Sequence, residues 1–129
     1  MAVTHSTAAR NAATDAVTTL IGTSGNLVFR LSGTVSAPGT AVATLALSAT
    51  AFAASSTGTA TANSITADTN ATGNASPVAT ATLQTSGGTV VIHCAVAASA
   101  SDINMTNGLT VASGDTVSCS SLTYTALSA

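Results

Sequence analysis

From residue 26 onward, apolar side chains recur at every second position in short runs. In residues 26–32, Leu27, Phe29 and Leu31 face one way while Val28 and Arg30 face the other, the alternation of a half-buried β-strand. Residues 41–48 place Ala43, Leu45 and Leu47 on one face, and the stretch between, with Gly33, Pro38 and Gly39, reads as a turn. The two runs are expected to pair antiparallel. Residues 78–84 and 89–96 flank Thr85-Ser86-Gly87-Gly88, a hairpin signal. In the second of these, Val90, Ile92, Cys94 and Val96 share an apolar face, with His93 opposite beside Val91 and Ala95. The last run, residues 116–126, changes phase: Val117 and Cys119 are odd-numbered, whereas Leu122, Tyr124 and Ala126 are even-numbered. One flat strand cannot bury both sets, so a bulge or bend is expected near Ser120-Ser121.

Helical spacing occurs only at the N-terminus. Ser6 or Thr4 can cap, and Ala9, Ala13, Val17, Leu20 and Ile21 form an apolar stripe before a stop at Gly22. A helix over residues 6–21 follows, packed on its own domain or on a neighbouring subunit. Residues 53–77 carry Ile65 as their one large apolar anchor. They read as a long surface loop with a short edge strand near residues 59–65, and 68–74 are loop-forming by composition. The sum is a mainly β chain: an antiparallel β-sandwich or jelly-roll-like domain over residues 25–129, preceded by an arm and one short α-helix in residues 1–24. Inside it the pattern places Leu27, Phe29, Leu31, Leu45, Leu47, Ile92, Cys94, Leu122 and Tyr124, with Arg30 and His93 outward.

Composition sharpens this picture. Of 129 residues, 28 are Ala, 25 Thr, 17 Ser and 10 Gly, and only 26 are Leu, Ile, Val or Phe. Net charge is −2, so the charge repulsion that accompanies disorder is missing and a thin core is expected. With so small a core, the helix at 6–21 and the loop at 53–77 are expected to gain order from a partner. Lys, Glu and Trp are absent, and Arg10 and Arg30 are the sole arginines. That basic complement is too small to neutralise a run of phosphates or to hold an anionic membrane, which excludes a nucleic-acid or membrane-surface role. The opening residues lack the charged n-region and apolar core of a signal peptide, and Ala-rich stretches are broken well short of a membrane span. The chain reads as soluble and made in the cytoplasm.

The candidate chemical groups are His5, His93, Asp15, Asp68, Asp102, Asp115, Cys94 and Cys119. His93 and Cys94 are neighbours, but adjacent side chains on a strand point to opposite faces, so they do not form a nucleophile–base pair. Cys94 and Cys119 could pair if their strands are neighbours, but in a chain made in the cytoplasm two separate thiols are the expectation. Residues 102–108 alternate oxygen-bearing side chains like a calcium loop. Ser113 stands where the bidentate Glu belongs, so a polar turn is expected. No catalytic, cofactor-binding or metal-binding residue is assigned, no cofactor is expected, and the chain is not read as an enzyme.

The opening Met1-Ala2-Val3-Thr4-His5-Ser6-Thr7-Ala8-Ala9-Arg10-Asn11, the strand Asn26-Leu27-Val28-Phe29-Arg30, and the ending Gly114-Asp115-Thr116-Val117 with Ser121-Leu122-Thr123-Tyr124-Thr125 resemble small structural proteins of tailed bacteriophages. The resemblance implies a virion component, a decoration (cement) protein bound outside the shell of major capsid protein, with self-association on the particle. The alternative from another class is a carbohydrate- or receptor-binding module of a tail fibre or tail tip. Such sites stack aromatics on sugars, and only Phe29, Phe52 and Tyr124 are available.

Overall fold

The computed structural model describes residues 3–127. Met1 and Ala2 of the opening segment, and Ser128 and Ala129 at the end of the 25–129 domain, lie outside the described residues. The elements run α1 (Thr7–Thr19), β1 (Asn26–Arg30), β2 (Ala41–Ala46), β3 (Thr59–Thr61), β4 (Thr80–Gln84), β5 (Val90–Ala97), β6 (Ile103–Asn104) and β7 (Thr123–Thr125). The chain is thus mainly β with one short N-terminal helix. Five strands form a sheet in the order β2-β1-β4-β5-β6, and β3 pairs with β7 in a separate ribbon. All pairs are antiparallel except β5 with β6, which makes the larger sheet mixed.

Register explains the core. Leu45, Leu27, Leu83 and Ile92 line up across four strands, and beside them run Ala43, Phe29, Ala81 and Cys94. Alanines on both sides of Phe29 leave room for its ring, and interdigitation of large with small residues fills the layer. Ala60 of the β3–β7 ribbon, with Phe52, Val78, Val111 and Val117 from the connecting segments, closes the same core, and Tyr124 packs against it. The register shifts between Phe29 and Arg30, so that Ala43 and then Ala41 are the partners. The skipped residue, Val42, is fully buried, a burial that strict alternation hides.

Leu27, Phe29, Leu45 and Leu47 are buried as expected. Leu31, Ile92, Cys94, Leu122 and Tyr124 are half-buried residues packed against the core rather than enclosed in it. For Ile92 and Cys94 the reason is position: beyond β5 the sheet continues only as the two-residue β6. The outer face of the sheet is not open either. Arg30 lies across it, donating from Nε to the Thr82 hydroxyl (3.1 Å), from Nη2 to Gln84 Oε1 (2.8 Å) and from Nη1 to the Gly39 carbonyl (2.7 Å). Val28 and Thr82 are both buried on the face assigned to solvent, and Thr82 is one of the Arg30 partners. Arg30 is therefore a cover for that face, not a projecting charge.

Ser6 caps α1, its hydroxyl accepting from the Ala9 N–H at 3.2 Å. The chain leaves the helix through Gly22 at φ +79, a left-handed exit that glycine takes without steric cost. The inward face of α1 differs from the apolar stripe read in the sequence. Ala9 is exposed and Leu20 is 65% exposed, while Thr14, Thr18 and Ile21 are buried. Helix α1 docks by hydrogen bonds. Asn11 Oδ1 accepts from the Gly58 N–H (2.8 Å), the Thr14 hydroxyl donates to the Gly58 carbonyl (2.6 Å), and Asp15 Oδ1 accepts from the Ser55 N–H (2.9 Å). Thr and Asp satisfy a neighbouring turn here in the way that aliphatics fill a core elsewhere.

Residues 53–77 carry the expected short strand as β3 (Thr59–Thr61), and the remainder is fastened to the domain. Ala60 and Ala71 are the segment's buried anchors, and Ile65 is half-buried. Thr57 and Gly58, both at positive φ, turn the chain between Ser56 and Thr59, which exchange backbone hydrogen bonds at 2.9 and 3.0 Å. This is a tight two-residue hairpin turn, and it is the turn that α1 grips. Further on the segment runs along the free edge of β2. The Thr66 N–H donates to the Ala46 carbonyl, the Asp68 carboxylate accepts from the Thr44 N–H, and the Gly73 N–H donates to the Val42 carbonyl, at 2.9–3.0 Å. An edge that would template pairing with another chain is closed.

Candidate functional site

The four carboxylates are spread over the molecule, and each accepts from a backbone N–H. Asp15 holds Ser55, Asp68 holds Thr44 and Asn70, Asp102 holds Ala95, and Asp115 holds Ala112, all at 2.9–3.0 Å. Both arginines also donate to carbonyls: Arg10 Nε to Leu127 at 3.1 Å, and Arg30 Nη1 to Gly39. Burial holds the Arg30 guanidinium below its usual pKa. The charged groups thus fasten this chain to itself.

His93 and Cys94 stand on opposite faces of β5, as alternation requires. Cys94 faces the core, its thiol donating to the Ala81 carbonyl at 3.4 Å. Burial, with the nearby charge of Asp102, pushes this thiol up to about 11. His93 stands beside Thr82 on the outer face, half-buried, with its Nε2 enclosed and without a hydrogen-bond partner. Cys94 and Cys119 are both free thiols. Burial raises the Cys119 thiol, and a backbone contact at Ser121 partly opposes the rise. His5 lies exposed ahead of α1. Among the described residues, no three His, Cys, Asp or Glu side chains cluster as a metal site would require. In residues 102–108 two side chains accept from backbone amides: Asn104 Oδ1 from the Ser101 N–H at 3.0 Å, and Asp102 Oδ2 from the Ala95 N–H. This is the polar turn expected, with the addition of the short strand β6, too brief for periodicity to reveal.

One concavity draws several segments together. A cleft of about 530 Å³ opens between residues 102–108 and 115–123, with Phe29, Val111 and Val117 in its floor. One wall is held by β6 against β5, where the Met105 N–H donates to the Ala97 carbonyl at 2.8 Å. The other wall is anchored at two points. Val117 exchanges backbone hydrogen bonds with Asp68 at 2.8 and 2.9 Å, and the Leu122 carbonyl accepts from the Ala62 N–H at 2.8 Å. The chain bends at Ser120, where the phase change in the sequence placed a bulge or bend, and only Thr123–Thr125 continues as a strand. Phe29 is 3% exposed and Phe52 is 6% exposed. Tyr124 is half-buried and packs against the core.

Comparison with protein-family models, with curated proteins and with solved structures found no match to this chain. Among the described residues, no helix is long and apolar enough to cross a membrane.

Proposed function

We propose that this chain is a virion structural protein of a tailed bacteriophage. On this reading it is a decoration protein that sits outside the assembled head shell, bridges copies of the major capsid protein, and is carried on the particle after synthesis in the host cytoplasm. The observation that carries the reading is the surface. With the charged side chains tied to the chain's own backbone, what faces outward is mostly Ala, Ser and Thr, including Ala8, Ala12 and Ala16 on the outer side of α1. Val3, Leu20 and Val35 are 74%, 65% and 57% exposed. Covering such a surface costs little. Alanine has no rotamer entropy to lose, and few charges need desolvation. A protein that adds contact area across the seams of a shell, and performs no reaction, is suited by those properties. The closed β2 edge fits the same role, since neighbours held at high local density do not zip together through their sheets.

Quantitative mass spectrometry of purified particles of the phage encoding this chain is the test. A seam-covering protein repeats with the symmetry of the shell, so the expected count is on the order of hundreds per particle. A count of a few tens or fewer would move the protein to the tail, and its absence from particles would end the proposal.

A further inference from the structure

We propose that the cleft between residues 102–108 and 115–123 binds an extended, basic peptide segment of another protein, through main-chain hydrogen bonds to Ser118–Ser121 and ion pairing to Asp102 and Asp115. The first ground is backbone accounting. Between the anchors at Val117 and Leu122, the N–H and C=O groups of Ser118, Cys119 and Ser120 make no hydrogen bond to any described residue, and at Ser121 the carbonyl receives only the Cys119 thiol, at 3.4 Å. This segment also has open space on two sides. Cys119–Leu122 line a second hollow of about 390 Å³ against residues 62–65 as well as the main cleft. Ser118–Ser121 belong to no strand and bend at Ser120, but unpaired donors and acceptors anchored at both ends beside a cleft can meet the main chain of an extended peptide.

The second ground is charge. Asp102 and Asp115 both line the cleft, and neither Arg nor His joins them there. Each carboxylate uses Oδ2 on a backbone N–H and leaves Oδ1 outside any hydrogen bond among the described residues. The complementary occupant is cationic, and a guanidinium or ammonium on an extended peptide meets that requirement. A sugar fits less well, because the floor aromatic, Phe29, is sealed beneath its neighbours. The inference does not rest on the virion reading, since it concerns the purified chain.

The test is a titration of isotopically labelled full-length protein, followed by amide NMR. Three acetylated peptides of alternating Val and Thr are used: one with a central Arg, one with Glu in its place, and one with Arg and N-methylated alternate amides. The Arg peptide is expected to shift the amides of Ser118–Ser121, to bind at least tenfold more tightly than the Glu peptide, and to weaken as salt rises. Asp102→Asn with Asp115→Asn retains an acceptor for each backbone N–H and is expected to remove the Arg-over-Glu preference. The N-methylated peptide is expected to lose binding. Equal binding of the Arg and Glu peptides, undiminished binding of the N-methylated one, shifts confined to another surface, or no binding at millimolar concentration would each overturn the proposal. So would a neutral glucose oligomer that shifts the same amides where the Arg peptide does not.

Discussion

Replacing Thr14 with valine keeps the shape of a fully buried side chain and deletes one oxygen. That oxygen donates to the Gly58 carbonyl at 2.6 Å and accepts from the Ala126 N–H at 3.1 Å, so it joins α1, the turn before β3 and the segment after β7. Each bond contributes about 1 kcal/mol net, and a buried group left unpaired costs about 1–3 kcal/mol. Gly58 is buried and Ala126 is half-buried, so the full penalty applies to the first and water relieves the second. The expected loss for Thr14→Val is therefore about 2–4 kcal/mol, a large share of the ~5–15 kcal/mol typical of a domain. Thr14→Ser keeps the hydroxyl and loses one methyl group, a cost of about 1 kcal/mol. Urea denaturation measures both, as a fall in midpoint at unchanged slope. A valine variant within about 0.5 kcal/mol of the parent, inside the range of an ordinary surface change, would refute the claim that α1 is held by polar contacts. A serine variant as damaging as valine would refute it equally.

Thr57 sits at φ +50, where a β-branched side chain is strained, and Thr57→Gly is expected to raise stability by about 1 kcal/mol; a loss in the same urea assay would show the turn is unstrained. Asp68→Ala removes the acceptor for the Thr44 and Asn70 amides and is expected to cost about 2 kcal/mol. Concentration-dependent light scattering should also rise as the β2 edge opens, and a variant that stays monodisperse would contradict the edge-closing role. The rise of the Cys94 thiol from 9.0 to about 11 lowers its thiolate share at pH 8 roughly 100-fold, and its alkylation in the native protein should slow accordingly. Because the folded pKa lies above the unfolded one, the unfolded state ionises first as pH rises. Stability from this residue is level below pH 9 and falls through the interval from 9.0 to about 11, so a Cys94→Ala variant should lose that part of the alkaline decline.

Alternation revealed the strands wherever one face is buried and the ladder is regular. Leu27 and Phe29, and Leu45 and Leu47, read directly, as did the hairpin turning at Ser86 and Gly87, although a register shift between Leu83 and Gln84 packs Val91 rather than Val90 against the core. It failed where geometry breaks the period, at the Val42 bulge, or where a polar side chain covers the outer face, as Arg30 does at Thr82 and Gln84. The helix misled for a different reason. Its apolar residues carried the pattern, but the surface it meets is a turn of backbone amides, so Asn11, Thr14 and Asp15 were the inward set. Along residues 53–77, Ala60 and Ala71 serve as core residues that composition cannot distinguish from surface alanines. The cleft was half legible: the phase change between Cys119 and Leu122 announced the bend at Ser120, whereas the facing wall formed by β6 left no periodic signal.

The most direct measurement of a decoration role is the thermal opening of purified particles, followed by the release of packaged DNA, with the chain present, stripped away and added back. Ligands that bind only the assembled state stabilise it by mass action. Stripped particles are therefore expected to open at a lower temperature, and purified chain is expected to restore the original value in a saturable way. An opening temperature that is the same in all three preparations, or added chain that remains unbound, would contradict the proposed function.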